Sequence, residues 1–434
     1  MASGRLYHRL LAGIAVIAWV SLAVQVEVLV GSRGLLPVGE LVGKASFWQL
    51  PTVFALGTPS DGVLAAGAWV GAAVAGAALI GVYPRVLIGV STLLYLSYAV
   101  ACRDFLWFQW DSLLLECGAL AVFLPRDQAP NWIRILFRLL LFKLYFESGV
   151  AKWQSYLHDW QDGSAMTYYY ETAPLPTPLA WFAHQLPVWW HHCESWATLA
   201  LELVVPFLAF GPRRTRLVAL VLLTGFQLTN LATANYGFFV LLALALHVFL
   251  LDDAPAPPGR RARVVPWVVI GVWLAVSVVG AIGTFVDRGF LPGVRQIVEP
   301  FRLVNNYHLF GHITRERIEP QFQTSVDGQT WVEHDLRYKP GDPGRTPPFV
   351  APHQPRVDFL LWFYGLSYRR GTPAYVVRLL ERLCRDPTAV QPLFPRPLPA
   401  NPRAVRIVFY RYHFARPLWW VRAEVGVVGP VGCE

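Results

Sequence analysis

The ionisable side chains best placed to do chemistry lie between residues 109 and 152. The run FQWDSLLLECG carries Gln109, Asp111 and Glu116, and RLLLFKLYFESGVAKW carries Arg138, Lys143, Glu147 and Lys152, all within otherwise apolar sequence. Charges in a bilayer cost several kcal/mol unless they are paired or hydrated, so such groups are functional candidates. Lys143 and Glu147 stand four apart, the spacing of an ion pair on one helical face. Asp111 and Glu116 stand five apart and point about 140° away from one another, which does not make a carboxylate pair. A lysine in an apolar site loses its proton readily and could act as a general base. Asp111, Glu116, Lys143, Glu147 and Lys152 are therefore the candidate catalytic set of a cavity open to the outside. The other reading is a buried network that fixes helix register. Glu202, Gln227 and Asn230 add polar groups to later apolar runs.

No motif selects a reaction. Phosphate loops, HExxH and GxSxG are absent from the sequence, and no nucleophile, base and orienting group can be assigned together. Cys102, Cys117, Cys193, Cys384 and Cys433 form no CxxC, which gives no support to a zinc or thioredoxin-like site. A Cys384–Cys433 disulfide is an option for an exported domain. His308 and His312 are four apart but sit in loop-like sequence with no acid to complete a shell, so no metal and no cofactor are expected.

These residues need elements to hold them. Of 434 residues, 55% are hydrophobic and 15% charged, well below the roughly 25% charged of soluble domains. Spans of about 20 apolar residues are expected over 9–31, 64–82, 86–107, 111–125, 133–151, 194–211, 214–232, 236–251 and 265–286. Arginines concentrate in alternate loops: Arg5 and Arg9; Arg85; Arg126 and Arg134; Arg213, Arg214 and Arg216; Arg260, Arg261 and Arg263. That bias puts the N-terminus in the cytoplasm and residues 287–434 outside. The net charge of +9 thus belongs to membrane topology and points to the lipid bilayer as partner, not to nucleic acid.

The expected fold is a polytopic α-helical membrane bundle of about nine spans (1–286), followed by a β-rich, sandwich-like exoplasmic domain (287–434). The loop 152–193 lies outside. Its stretch YYYETAPLPTPLAWF (168–182) is too proline-rich for a good helix and too aromatic for a solvated linker. It reads either as a re-entrant plug or as a docking surface. In the C-terminal part, Asp327-Gly328 marks a hairpin turn, with Val332, His334, Leu336 and Tyr338 as one strand face. Residues 404–414 and 417–428 read as strands, and 372–385 as an amphipathic helix. APHQPRVDFLLWF (351–363) reads as a loop anchored by Arg356 and Asp358.

Taken together, QWDSLLLECG, FRLLLFKLYFESGVAKW, Asp159-Trp160, TYYYETAPLPTPLAWFAHQLP, ELVVPF, NYGFF, NNYHLFGHITRERIE, SVDGQTWVEHDLRYKPGD, APHQPRVDFLLWF and YRYHF resemble the lipase maturation factor family. The likeness covers about residue 100 to the end; residues 1–100 match only as apolar spans. It implies a membrane protein with a large exoplasmic domain that helps secreted lipases or other exported clients mature, without a known reaction. Tyr168, Tyr170, Glu171, Pro174, Pro176 and Trp181, with His353, Gln354, Arg356 and Asp358, would then meet the client or brace the C-terminal domain. The family's membrane part is remotely similar to horizontally transferred transmembrane domain proteins and vitamin K-dependent carboxylase, which implies an enzyme as the alternative. The Arg-, Ala-, Val- and Pro-rich usage suggests a bacterial cytoplasmic membrane; in a eukaryote the family implies the endoplasmic reticulum membrane.

Overall fold

The computed structural model describes residues 3–41, 48–127, 129–251 and 264–433. The apolar two thirds form α1 (Ser3–Ala23), α2 (Val26–Val30), α3 (Asp61–Leu79), α4 (Pro84–Ala101), α5 (Gln109–Ala121), α6 (Asn131–Trp153), α7 (Ala165–Thr172), α8 (Pro178–His184), α9 (Val188–Leu203), α10 (Arg213–Thr233), α11 (Phe239–Leu246) and α12 (Val264–Phe285). The remainder forms α13 (Pro292–Val298), β1 (Arg317–Ser325), β2 (Val332–His334), α14 (Arg356–Ser367), α15 (Ala374–Arg385), α16 (Pro387–Val390), β3 (Ala404–Phe414) and β4 (Trp420–Gly432).

Among the described residues, six helices are long and apolar enough to cross a membrane: Ser3–Ala23, Asp61–Leu79, Pro84–Ala101, Val188–Phe210, Arg213–Thr233 and Trp267–Phe285. The expected spans over 111–125, 133–151 and 236–251 are helical but not among the six. α5 has 13 residues; α6 has 23 but carries Lys143, Glu147 and Lys152; α11 and its 3₁₀ extension reach only from Phe239 to Leu250. Most of their apolar side chains are buried. An inner helix shielded by its neighbours need be neither full-length nor apolar on one side only.

Three of the basic segments meet at one end of the helices. Arg5, Arg9 and Arg126 line one small depression, and Arg85 Nε donates to the Val122 carbonyl at 2.8 Å. The expected group Arg260, Arg261 and Arg263 lies outside the described residues.

The C-terminal strands make one antiparallel sheet in the order β2-β1-β3-β4. β3 has the expected bounds, while β4 begins three residues late and runs on to Gly432. After the Asp327-Gly328 turn only Val332–His334 is strand, and Val332 is exposed. The sandwich-like expectation is corrected: helices supply the second layer. α14 begins directly after Pro355, where a loop was expected. It packs so closely on β1 that a Cβ on Gly365 would strike the Ile318 carbonyl. Tyr364 and Tyr368 contact Phe409 of β3. α15 turns Tyr375, Val376, Leu379 and Leu383 inward.

Cys384 at the end of α15 is disulfide-bonded to Cys433 after β4. Replacing both by Ser is expected to cost roughly 2–4 kcal/mol, because the closed loop is long. The check is the melting midpoint of the full chain with and without reductant; an unchanged midpoint would remove the bridge from the stability of this domain.

Candidate functional site

Residues 168–182 lie at the seam between helices and sheet. Tyr168 to Thr172 belong to α7 and Pro178 starts α8; prolines tolerate a helix start because the missing N–H would be unpaired there anyway. Only 173–177 is non-helical, with Pro176 bridged to Ala234. This corrects the expectation that the stretch is too proline-rich for a good helix. The last carbonyls of a helix lack partners within it, and the C-terminal domain supplies them. Arg317 donates to the carbonyls of Glu171 (3.0 Å), Ala173 and Pro174 (3.1 Å). Trp362 Nε1 donates to the Thr172 carbonyl at 2.8 Å. Asn235 reads the next turn: its amide and its side chain donate to the Leu175 carbonyl, and its Oδ1 accepts from Val350 and Ala351. Glu171 accepts from the Phe414 amide at 2.7 Å and contacts His413 Nδ1 at 2.9 Å. Tyr170, Glu171, Pro174 and Pro176 are therefore buried within this chain, while Tyr168 and Trp181 are half-buried.

A second seam is made by residues 302–313, which have no regular structure yet run among α5, α6 and α12. Backbone amides away from water need acceptors, and side chains of the bundle provide them. Glu147 takes the Tyr307 amide at 2.7 Å, Gln109 the His308 amide at 2.9 Å, and Asp159 the Ile313 amide at 2.7 Å. Glu116 accepts from Lys143 Nζ (2.9 Å), Trp273 Nε1 (3.1 Å), the Asn305 amide (3.1 Å) and the Tyr307 hydroxyl (2.7 Å). The expected Lys143–Glu147 pair is thus corrected: Lys143 reaches across to Glu116 on α5. Lys152 pairs with Glu202 at 2.7 Å and donates to the Leu309 carbonyl.

The third contact is the PHQPR turn. Arg356 holds Asp111 bidentately at 2.6 and 2.8 Å, and Tyr95 donates to the same carboxylate at 2.7 Å. Arg356 and Asp111 are both fully buried. Ser21 accepts from the Gln354 amide and meets His353 Nδ1 at 3.0 Å, and Gln25 Oε1 accepts the Arg356 amide. Gly237, with φ +54°, has room only for hydrogen against Gln354. Burial lowers the His353 imidazole to about 4. Burial raises the Asp358 carboxyl to about 6, against the opposing pull of the Tyr338 amide and Lys339.

The five candidate catalytic groups accordingly fall into three clusters: Asp111 with Arg356, Lys152 with Glu202, and Glu116, Lys143 and Glu147 gathered around Tyr307. Two of the open spaces lie beside these groups and at the junction. A cavity of ≈ 240 Å³ lies among α6, α7, α9 and α10, with Tyr145, Lys152, Tyr169, Glu202, Gln227 and Tyr236 at its polar side. A cleft of ≈ 580 Å³ at the junction is walled by Trp107, Phe108, Trp110, Phe359, Trp362 and Phe363. Sequence reasoning passed over this cleft. Its signal was the aromatic density of FLWFQW and FLLWF, which are 249 or more residues apart when counted from Trp110 to Phe359. No group of three or more His, Cys, Asp or Glu able to hold a metal is found among the described residues.

Two family models match the chain: the lipase maturation factor transmembrane domain over residues 3–257 and the lipase maturation factor C-terminal domain over 303–430. Lipase maturation factor 2 of Homo sapiens is 32% identical over 589 aligned residues, covering 98% of this chain and 82% of that protein. Lipase maturation factor 2 of Gallus gallus is 30% identical over 574, covering 96% and 79%. Lipase maturation factor 1 of Bos taurus is 30% identical over 501, covering 97% and 87%. No solved structure matches. These matches give the carboxylase-like alternative no support.

Proposed function

The chain belongs to the lipase maturation factor family as a multi-pass membrane protein, and from that premise we propose that it assists the maturation of exported lipases or other secreted clients, as a scaffold. One observation supports the scaffold over an enzyme. Each ionisable group nominated for catalysis is closed by a partner: Asp111 by Arg356, Glu116 by Lys143, Lys152 by Glu202, and Glu147 by the Tyr307 amide. A lysine base needs a free amine facing substrate, and both lysines are engaged.

In this reading residues 1–286 are the membrane unit and 287–434 the client-facing unit, with the N-terminus cytoplasmic and the C-terminal unit exoplasmic. The gathering of Arg5, Arg9 and Arg126 at one end supports that orientation. So does the Cys384–Cys433 bridge, since disulfides persist in oxidising compartments. The membrane would be the cytoplasmic membrane in a bacterium and the endoplasmic reticulum membrane in a eukaryote. Glu171, Pro174, Gln354 and Arg356 brace the two units, whereas Tyr170 and Pro176 are held within the membrane unit and Asp358 within the client-facing unit. The aromatic cleft, with Trp107 71% exposed and Phe363 45% exposed, offers apolar surface to an incompletely folded client, and Tyr168 and Trp181 stand at half-exposed positions beside the brace.

The test is exported lipase activity per mass of lipase protein, in the source organism with and without this gene. Activity per mass is expected to fall without the gene and to return with the intact gene. Equal activity for every exported lipase would overturn the client assignment.

A further inference from the structure

The β3–β4 turn, Ala415–Trp419, sits at the end of the sheet that faces the helices. The register requires this, because Arg317, which binds the carbonyls after α7, pairs with Tyr412 just before the turn. The turn is tied to α8 by rings and one hydrogen bond. Trp181 Nε1 donates to the Ala415 carbonyl at 3.2 Å, and Trp181 and Trp419 lie 5.4 Å apart. Phe182 also contacts Trp419 at 6.4 Å. Arg416 lies over the Trp181 ring at 5.1 Å and forms no ion pair among the described residues.

Around this joint the surface is apolar. Leu179, Phe182, Leu186, Val188, Trp189 and Trp190 are 41–63% exposed, and Leu418 at the tip is 48% exposed. The patch does not end at α8. It runs into the membrane-crossing helix Val188–Phe210, whose exposed face continues through Trp196, Val204 and Phe207. An aromatic cluster continuous with a lipid-facing helix stripe, with an arginine at its edge, has the composition of the bilayer interface: rings at headgroup level and a cation for phosphate.

We propose that α8 and the β3–β4 turn form one lipid-inserted anchor, with Leu418, Phe182 and Trp189 in the acyl boundary and Arg416 at the headgroup phosphates. The C-terminal domain then grips the bilayer itself as well as the helices. The occupant is lipid because the patch is the uninterrupted extension of a surface that already faces lipid. This inference rests on the multi-pass reading and not on the client assignment.

The test uses the full chain in nanodiscs of phosphatidylcholine and phosphatidylglycerol, with and without bromine on the acyl chains. In a Cys193→Ser background, Leu418→Cys carries an environment-sensitive fluorophore. Cys102 and Cys117 are buried and Cys384 and Cys433 are bridged, so the label is selective. Val332→Cys is the control, on an exposed residue paired with Thr324 at the sheet end remote from the turn. Brominated lipid is expected to quench the label at 418 more than about twofold and leave the label at 332 unchanged, as for a side chain inserted below the headgroups. Equal quenching at the two positions would overturn the anchor. A label at 418 that lipid bromine does not quench, yet is shielded from iodide, would also overturn it by assigning the patch to a protein partner.

Discussion

Arg356→Ala is expected to destabilise the full chain by roughly 3–5 kcal/mol, because it leaves the Asp111 carboxylate buried without its counter-ion. Asp111 and Arg356 are both wholly buried and joined by two hydrogen bonds. Tyr95 remains to Asp111 but supplies one neutral donor. The loss should appear as a lower melting midpoint in detergent and as faster proteolysis of the turn that leads into α14. Removing both charges tests the role of the pair. Asp111→Leu with Arg356→Met is expected to recover most of the lost stability, since apolar replacement of a buried pair is often neutral. If the double variant is as unstable as the single, geometry of the pair and not charge burial governs the docking.

The second large effect concerns Glu116. Glu116→Ala removes the acceptor shared by Lys143, Trp273, Asn305 and Tyr307 and strands a buried ammonium, again at roughly 3–5 kcal/mol. A double-mutant cycle between Lys143 and Glu116 should give a coupling of about 1–3 kcal/mol. The cycle between Lys143 and Glu147 should give less than half of that, because their link runs through Tyr307. The opposite ranking would restore the pair to one helix and refute the interhelical arrangement.

These two cases mark what the sequence made legible. Period and composition read elements well: β3 has its expected bounds, and every expected span contains helix. They read partners poorly. Four-residue spacing places Lys143 and Glu147 on one face, but it says nothing of a carboxylate 27 positions away on a neighbouring helix. Arg356 and Asp111 were each singled out, yet no local signal joins residues 245 apart. The 168–182 stretch reads from composition as either a re-entrant plug or a docking surface, because prolines and aromatics suit both. Its buried role follows from the carbonyls that the prolines leave unpaired, and those are satisfied only once Arg317, Asn235 and Trp362 arrive from elsewhere. The family resemblance carried function further than any spacing did.

The irregular segment 302–313 also bears on biosynthesis. Glu116 and Glu147 enter the membrane region early in translation, and the amides of residues 305 and 307 that bind them arrive much later. Asp111 waits longer, for a guanidinium 245 residues downstream. At about 5–20 residues per second the ribosome needs on the order of tens of seconds to deliver it. Through that interval the nascent bundle is a half-closed vault carrying its own unmet carboxylates, and its keystone is cut last. A chain that stops before Arg356 never receives it, so an unfinished copy carries a chemical mark that a finished one lacks.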